Sequence, residues 1–557
     1  MRRFLLQFLE ILKKCHRGDY STRTELANQP QSLIKRISMQ TSCKNCAKPF
    51  EIYQEDLNFL KKLGGETQIP PPQNCPSCRL ARRMAFRNER NLYRRKCDVT
   101  GQDIISIYSP ESPHKVCEKT HWYSDEFDPM KYGRDFDFNK PFFEQFHELL
   151  LDIPLPSLRV ENSENCEFNS DMSDSKDCYL CARTHKCQEV LYTYRGNKSS
   201  NCVDCMQVSE NSELLYECIE CITCYDSQYL EFCERCSNSA FLSHCRGCTN
   251  CFLCTDLDKG QYCFLNKRLA KSEYEKRLAE FNPGSHKTRE QAMKAFEKLK
   301  SARPKDGPSI LKSEDCTGTN IFNSKNCFQC FDVKNVHDGR YVFNVMDAKD
   351  TMDQYTGGRN SELIYECTSS SAAYNAKFCM RVSYSRDVEY SFFTKNSQNI
   401  FGCVGMRQKK ICILNKQYEQ SEYEPLRKRI IEHMKKTGEY GEYFPISLSP
   451  FAYNETIAYE YFPTTKEEAL HKGWRWKEKD PKEYLPQKFK VPDTIAEIDT
   501  KILGEILACE DCGKNYRITP PELKFYKNQN IPVPKKCPDR RHARRFSCTH
   551  PAYDQSK

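Results

Sequence analysis

Apolar residues in the middle of the chain recur in short, irregular units, and no helical periodicity links them. Units of about 12–24 residues follow one another, each rich in Ser, Asn, Asp and Cys, with single Tyr, Phe or Leu residues between turn-forming positions. Units this short cannot bury a face alone, so we expect them to stack. The pattern predicts a mainly β fold with a duplicated parallel β-solenoid-like centre, flanked by small α+β modules of treble-clef or zinc-ribbon type.

The solenoid region is an internal duplication. When the sequence is shifted by 149 residues, NSELLYEC at 211–218 matches NSELIYEC at 360–367, and no gap is needed as far as Lys267. The duplication predicts two cysteine-rich solenoid repeats, 161–281 and 313–434.

The remaining segments are expected to form smaller units. Aromatic clusters at 121–146 and 439–456 could stack nucleic-acid bases, but acidic neighbours favour a role as anchors on a core. The predicted units are an amphipathic N-terminal helix at 1–41, a treble-clef module with a basic helix at 42–97, an aromatic module at 98–160, a helical linker at 282–312, an aromatic linker at 435–500 and a degenerate zinc-ribbon module at 501–557.

Composition narrows the class of protein. The chain has 557 residues, 34 cysteines and a net charge of +9. No stretch reaches the ~20 apolar residues of a membrane span, and the apolar start lacks a signal-peptide cleavage site. We therefore expect a cytoplasmic protein whose cysteines are thiols or metal ligands rather than disulfides.

The N-terminal module carries a zinc-ligand pattern. Two C-x2-C pairs lie 28 residues apart, and each pair bends the backbone so that two sulfurs face one ion. The predicted zinc ligands are Cys43, Cys46, Cys75 and Cys78.

The C-terminal module reads as a diverged copy. It keeps three of these ligand positions, at Cys509, Cys512 and Cys537. The fourth position is Arg540, which cannot bind zinc. His542 is the predicted fourth ligand and Cys548 an alternative; loss of the metal is the other interpretation.

A row of arginines follows the first zinc knuckle. Helical spacing would put them on one exposed face, where guanidinium groups suit phosphate contacts. The alternative is a solvated face that pairs with Glu89 and the acidic 124–137 segment. The predicted nucleic-acid-binding residues are Arg79, Arg83, Arg87, Arg90 and Arg94.

The central cysteines have two interpretations. The run Cys245-x2-Cys248-x2-Cys251-x2-Cys254 resembles an iron–sulfur ligand run. The second repeat, however, replaces seven cysteines of the first by small or β-branched residues, which favours core packing. The replaced positions are Cys221, Cys224, Cys233, Cys236, Cys245, Cys248 and Cys251, which become Ser370, Ala373, Val382, Ser385, Thr394, Ser397 and Ile400.

Several stretches carry a family resemblance. The two ends resemble a probable treble-clef zinc-binding domain family, through the C-x2-C pair, the aromatic middle and the closing CPSCR at 75–79. The whole chain is similar to uncharacterised cysteine-rich zinc-ribbon proteins of candidate-phyla bacteria, through YGRDFDF at 132–138, FGCVGMR at 401–407 and GEYFPISLSPFAYNET at 441–456. The resemblance implies an architecture and no particular activity. The C-terminal module departs from the family pattern at Arg540.

Three classes of function stay open, since no recognisable catalytic motif is present. The leading hypothesis is a non-enzymatic, zinc-stabilised scaffold that binds nucleic acid, with RNA or a ribonucleoprotein favoured. One alternative is an enzyme, either an iron–sulfur or other metal-dependent redox protein that uses the cysteines from Cys218 to Cys254, or a solenoid hydrolase. The other alternative is a protein–protein interaction scaffold. The candidate hydrolase acids are Asp171, Asp174, Asp347, Asp350 and Asp353.

Overall fold

A computed structural model describes residues 37–303, 309–478, 481 and 483–549. The predicted N-terminal helix falls outside the described residues except for 37–41, and 38–41 belong to the strand Ser38–Ser42 rather than to a helix. No described helix is both long and apolar enough to span a bilayer. A cytoplasmic location stays a prediction.

The first solenoid (residues 160–268) is a stack of parallel strands. Tyr194 pairs with Ala182 on one side and Met206 on the other, so one turn takes 12 residues. A short antiparallel strand closes the stack. The strands are Val160–Glu161, Ser170–Ser173, Ala182–His185, Tyr194–Asn197, Cys202–Val203, Met206–Ser209, Glu213–Tyr216, Ile219–Ile222, Tyr225–Glu231, Ser237–Ser243, Thr249–Thr255, Gln261–Phe264 and Lys267–Arg268.

The second solenoid (residues 310–417) repeats this design. Tyr374 pairs with Glu362 and Arg386, again 12 residues away in each direction. The predicted duplicated parallel β-solenoid is therefore confirmed. Its strands are Ile310–Leu311, Glu314–Phe322, Lys325–Arg340, Phe343–Ser371, Tyr374–Lys377, Met380–Ser383, Arg386–Glu389, Phe392–Lys395, Gln398–Phe401, Lys410–Ile413 and Lys416–Gln417.

Each turn is built from three-residue sides. Left-handed backbone recurs at every third residue, for example at Asp177, Leu180 and Arg183. The residue after each such corner points into the core, as the buried Cys178 and Cys181 do. A turn of 12 residues encloses little space, so its core positions favour small side chains. The C-x2-C spacing in this region is therefore the spacing of successive core positions.

The core thiols donate hydrogen bonds to backbone carbonyl oxygens. Cys236 lies 3.6 Å from the carbonyl oxygen of Glu234 and 3.5 Å from that of Cys245 in the next turn. Its counterpart in the second solenoid, Ser385, donates in the same way to Ser383 at 2.8 Å. Cysteine and serine are thus interchangeable in shape and in hydrogen bonding at this position.

This equivalence makes a prediction about the core. We expect Cys236→Ser to change the free energy of unfolding by less than about 1.5 kcal/mol, because the hydroxyl can use the same carbonyl oxygens. Cys236→Leu should destabilise by about 1–3 kcal/mol, because the close-packed turn has no room for a larger side chain. Urea unfolding of both variants checks this. Equal stability of the two variants would contradict the packing account.

Helices follow the C-terminal end of each solenoid. Ahead of the helices, an asparagine side chain binds the backbone of the last turn of each solenoid. Asn266 accepts a hydrogen bond from the N–H of Thr255 in the first solenoid, and Asn415 accepts one from the N–H of Val404 in the second, both at 2.8 Å. The predicted linker contains a helix whose Phe296 packs edge-to-face on Phe241 of the first solenoid. These helices are Lys271–Ala279, His286–Ser301 and Gln420–Thr437.

The two solenoids lie side by side in a pseudo-two-fold arrangement. Arg183 donates to Asn344 at 2.6 Å, and Arg195 lies 3.9 Å from Asp332. Residues 183 and 332 are equivalent in the duplication, as are 195 and 344. The same two positions therefore meet twice with their roles exchanged, as in a symmetric homodimer.

The aromatic segments form one shared core. Phe146 packs against Phe444 in a tilted arrangement with ring centroids 4.6 Å apart, and it also contacts Phe392 of the second solenoid. These rings are fully buried, which confirms their interpretation as anchors. The connecting elements are strands Tyr93–Lys96, Asp103–Ser106, Val116–Cys117 and Leu155–Pro156, α-helices Lys119–Tyr123, Phe142–Asp152, Ile457–Tyr461 and Lys466–His471, and 3-10 helices Pro129–Tyr132, Ile446–Leu448, Tyr453–Glu455, Ile495–Glu497 and Thr500–Gly504.

The terminal modules share a plan of a hairpin and two helices. Strands Ser38–Ser42 and Pro49–Tyr53 pair antiparallel in the N-terminal module, as Leu507–Ala508 and Asn515–Tyr516 do in the C-terminal one. The helices are Gln54–Gly64, a 3-10 turn at Gly65–Thr67 and Pro76–Met84 in the first module, and Pro520–Asn528 and Pro538–Ser547 in the second.

Candidate metal centres and their docking helices

Four cysteine sulfurs converge in the N-terminal module. The ligand atoms of Cys43, Cys46, Cys75 and Cys78 all lie within 4.8 Å of one another, and the Cys46 and Cys75 sulfurs are 3.9 Å apart. A tetrahedral zinc ion with Zn–S bonds of about 2.3 Å places its sulfurs about 3.8 Å apart. The predicted ligand set therefore has the geometry to hold one metal ion.

A turn and a helix position these sulfurs. In the turn, the backbone N–H of Cys43 donates to Lys48 at 2.9 Å. Cys75 is the N-cap of helix Pro76–Met84, where the helix dipole favours a negative sulfur. The Cys78 sulfur accepts a hydrogen bond from the Asn45 side chain at 3.2 Å. A hydrogen bond from Cys78 lowers the pKa of Cys75 to about 5.

The C-terminal module repeats the turn but gathers three sulfurs. Cys509, Cys512 and Cys537 form the cluster, with the Cys512 and Cys537 sulfurs 3.8 Å apart. The N–H of Cys509 donates to Lys514 at 3.0 Å, as the N–H of Cys43 does to Lys48. Arg540 occupies the fourth position, and a hydrogen bond with Cys512 raises the pKa of its guanidinium.

His542 is not part of this cluster, so its prediction as the fourth ligand is corrected. It lies beyond the start of helix Pro538–Ser547, on the face that packs against the rest of the protein. There its ring meets Tyr194 edge-on at 5.4 Å, and its Nε2 lies 3.5 Å from Glu460. Cys548, the alternative ligand, lies just beyond the other end of the helix, where its sulfur contacts the carbonyl oxygen of Arg544.

The prediction of an exposed arginine face after the Cys75–Cys78 pair is wrong. The helix ends at Met84, so Arg87, Arg90 and Arg94 do not lie on it. Arg79, Arg83 and Arg87 are 2%, 0% and 1% exposed. Their guanidinium groups are enclosed by protein and do not face solvent, so this set cannot line a phosphate-binding surface.

The buried arginines dock the N-terminal module onto the second solenoid. Arg83 bridges two buried acids, Glu366 at 2.6 Å and Asp353 at 2.9 Å. Arg79 binds Asp353 at 2.8 Å, and Arg82 binds Glu366 at 2.8 Å. The helix that carries Cys78 is therefore fixed to a solenoid turn about 280 residues further along the chain.

The C-terminal module docks on the first solenoid in the same way. Arg545 contacts Asp204 at 3.0 Å and Glu217 at 3.3 Å. Arg541 contacts Asp204 at 3.1 Å, and Arg544 contacts Glu217 at 2.6 Å. Burial raises the pKa of Asp204 to about 6, and the two arginines oppose that shift.

The two docking contacts are equivalent and crossed. Asp204 and Asp353 are 149 residues apart, as are Glu217 and Glu366. The N-terminal module thus binds the second solenoid, while the C-terminal module binds the first. The acids could have been found from the sequence, because two acidic corner residues are kept at equivalent positions while neighbouring cysteines diverge.

A second polar contact supports each docked module. The Tyr341 hydroxyl donates to Asp56 at 3.0 Å, and the Tyr192 hydroxyl donates to Glu522 at 3.0 Å. Tyr192 and Tyr341 are again 149 residues apart. Each module is therefore held by a matched set of charged and hydroxyl contacts.

The other predicted arginines lie apart. Arg87 pairs with Glu89 at 2.6 Å and also with Asp171, between the solenoids. Arg90 is half-buried and contacts Asp539 of the C-terminal module at 3.1 Å. Arg94, on strand Tyr93–Lys96, is exposed.

The candidate hydrolase acids are not gathered into one site. Asp353 and Asp171 are held by arginines in separate buried networks. The carboxylates of Asp174 and Asp347 accept from asparagine side chains one turn earlier, and Asp350 pairs with Lys62.

The central cysteine run faces the interior of one solenoid turn. Cys245, Cys248, Cys251 and Cys254 are each at most 2% exposed and lie on successive sides of the turn. Across the residues that the structure describes, only the two terminal clusters bring three or more ligand atoms within 4.8 Å of one another. The burial of these cysteines on successive sides of the turn favours the packing interpretation.

A small cleft lies where both modules meet the first solenoid. Its volume is about 60 Å³, and Glu89, Tyr194 and His542 line it. The Tyr194 hydroxyl donates to Glu89, so these groups are engaged with each other.

Comparison with known proteins gives no match: no family model fits the chain, and no curated protein is significantly similar to it. The resemblance to treble-clef zinc-binding domains stays a prediction.

Proposed function

We propose that the chain is a non-enzymatic, zinc-stabilised scaffold for protein partners. The observation that carries this proposal is the crossed docking of the two metal modules. In each module, an arginine-bearing helix begins at the cysteine cluster. Its arginines bind acids on the solenoid that is more distant from the module in sequence. The metal ions fix the start of each helix, and the helices hold two solenoids as one body. Such a design supports rigidity rather than turnover.

Zinc is the ion that we propose for the N-terminal cluster. Four thiolates at tetrahedral spacing suit it, and structural zinc sites of this kind hold small modules folded. The ion would be enclosed by Cys43, Cys46, Cys75 and Cys78, so it would serve the fold and not a reaction.

Two features favour protein over nucleic acid as the partner. Three of the five arginines expected to bind phosphate, Arg79, Arg83 and Arg87, are buried inside the molecule. Surface lysines along the solenoids pair with acids of the neighbouring turn, as Lys176 does with Glu164 and Lys325 with Glu314. The outer surface of the solenoids is therefore of mixed charge, whereas nucleic acid selects an unbalanced basic patch.

A pair of exposed tyrosines marks the surface proposed for partners. Tyr225 and Tyr374 are equivalent in the duplication and are 50% and 41% exposed. Many core cysteines have changed between the two copies, but this outward tyrosine is present in both. Tyrosine is enriched in protein interfaces because it offers a large apolar area and a polar tip.

Filter binding of the full chain to structured and single-stranded RNA tests the partner class. We expect at most weak retention at low salt, with the same retention for the Arg90→Glu/Arg94→Glu variant, because those arginines do not form a phosphate-binding face. Submicromolar binding that falls steeply with salt and is lost in the variant would return the nucleic-acid hypothesis to first place.

Photo-crosslinking in cells tests the proposed surface. A photoreactive residue at position 225 or 374 should capture the same protein, whereas one at Tyr484, which is 49% exposed but lies outside the solenoids, should not. Capture of RNA from 225 and 374, or identical products from all three positions, would reject the surface.

A further inference from the structure

The C-terminal cluster forms three corners of a tetrahedron. The Cys512 and Cys537 sulfurs are 3.8 Å apart, and the equivalent sulfurs of the four-cysteine cluster, Cys46 and Cys75, are 3.9 Å apart. The turns before both clusters share their hydrogen bonds. The three sulfurs are therefore placed for a metal ion as they are in the complete site.

No donor among the described residues fills the fourth corner. Cys78 stands three residues after Cys75, and the residue three after Cys537 is Arg540. A guanidinium group donates five hydrogen bonds and has no lone pair to offer a metal. Arg540 is exposed, so this side of the cluster opens to solvent.

Nearby groups that could bind a metal are engaged elsewhere. Asp539 pairs with Lys514 and Arg90, Glu510 with Lys535 and Asp511 with Lys536. His542 and Cys548 face away from the cluster, as described above. Within residues 483–549, only the three cysteines form a group of ligand atoms that all lie within 4.8 Å of one another.

The charges of this centre differ from those of the N-terminal one. Zinc with three thiolates carries one negative charge, which the adjacent guanidinium balances; zinc with four thiolates carries two. A zinc ion with three protein ligands keeps an exchangeable position, usually filled by water. An anion entering that position would meet both the metal ion and the donors of Arg540.

We infer that the C-terminal centre takes its fourth ligand from outside the chain, as a small anion held between the metal ion and Arg540. The inference rests on the zinc modules of the proposed function. It gives the two modules different roles: the N-terminal centre is closed and structural, and the C-terminal centre is a ligand-binding site.

Cobalt substitution with thiocyanate as the probe tests this inference. Co²⁺ replaces zinc, and its visible bands report its ligands. We expect two ions per chain, and thiocyanate should shift the bands of one of them. Arg540→Cys recreates the four-cysteine pattern of the N-terminal module, so it should abolish the shift while keeping two ions. Arg540→Ala should keep the shift but weaken thiocyanate binding about tenfold or more, because a charge-assisted hydrogen bond is lost.

Two results would overturn the inference. One is a wild-type spectrum that thiocyanate leaves unchanged, or a shift that persists in Arg540→Cys. The other is one ion in the wild type and two in Arg540→Cys, which would mean that this module needs a fourth cysteine to bind metal. Neither result bears on the proposed zinc site at Cys43, Cys46, Cys75 and Cys78. If that site did not bind metal, the ion that is insensitive to thiocyanate would be missing.

Discussion

Replacement of Cys75 by serine is expected to remove about one metal ion per chain and to open the N-terminal module. Cys75 supplies one of four clustered sulfurs and is also the N-cap of the docking helix. Structural zinc contributes on the order of 10 kcal/mol to folding in small modules. The packing of that helix on the second solenoid offsets part of this loss, so we expect local opening before global unfolding.

Metal analysis and limited proteolysis measure this effect. Trypsin should cut within 42–97 in the variant and spare the same segment in the wild type. Cys316→Ser is the matched control, because Cys316 is a half-buried solenoid cysteine outside both clusters. The control should keep its metal and its protease resistance. An unchanged metal content in Cys75→Ser would show that the cluster is a group of core thiols.

The solenoid could be predicted because its repeat is visible at two scales. The sequence matches itself after a shift of 149 residues, which indicates two copies of one unit. The short polar repeats within each copy cannot fold alone, so they predict stacked turns and hence a solenoid. The 12-residue turn was hidden because corners are occupied by residues as different as Asp177, Leu180 and Arg183, although left-handed backbone usually selects Gly, Asn or Asp. Only the three-dimensional register reveals the corners.

The same C-x2-C spacing has two physical origins in this chain. At the ends it comes from a turn that brings two sulfurs into a cluster with the geometry to hold a metal ion. In the solenoid it comes from core positions that recur at every third residue. The Cys→Ser, Ala and Val exchanges between copies distinguished these cases, since a ligand cannot become valine while a core position can.

The arginine row shows where sequence reasoning stopped. Charges at helical spacing predict a face but not what covers it, and the covering acids lie about 280 residues away. The helix also ends earlier than the charge pattern suggests. The Asn88 side chain binds the carbonyl oxygens of Asn91 and Ile107, which holds the chain in a non-helical course after Met84.

The fourth ligand of the C-terminal cluster was misassigned for a related reason. His542 is close to Cys537 in sequence, but five residues along a helix turn its side chain to a different face. That face carries Arg541 and Arg545, which dock on the first solenoid. A position on the docking face cannot also point to the metal cluster.

Replacement of Arg83 by methionine is expected to destabilise the protein by about 3–5 kcal/mol. Arg83 is fully buried and bridges Asp353 and Glu366, both also fully buried. Removing Arg83 takes one guanidinium partner from each acid, and no water reaches the buried site to replace the lost charge-assisted hydrogen bonds. Methionine keeps most of the side-chain volume, so the loss reports on charge rather than on a cavity.

The crossed symmetry supplies the decisive comparison. Arg545→Met removes the equivalent contact on the first solenoid and should cost about as much, since Arg545 bridges Asp204 and Glu217. Arg94→Met should change stability by less than about 0.5 kcal/mol, because Arg94 is exposed and no carboxylate binds it among the described residues. Urea unfolding of the three variants measures these differences. In a double-mutant cycle, Glu366→Gln should add less to Arg83→Met than it costs alone, because the Arg83–Glu366 contact that it would break is already lost. If Arg83→Met is as stable as Arg94→Met, the ionic networks do not stabilise the docked modules, and the docking account is wrong.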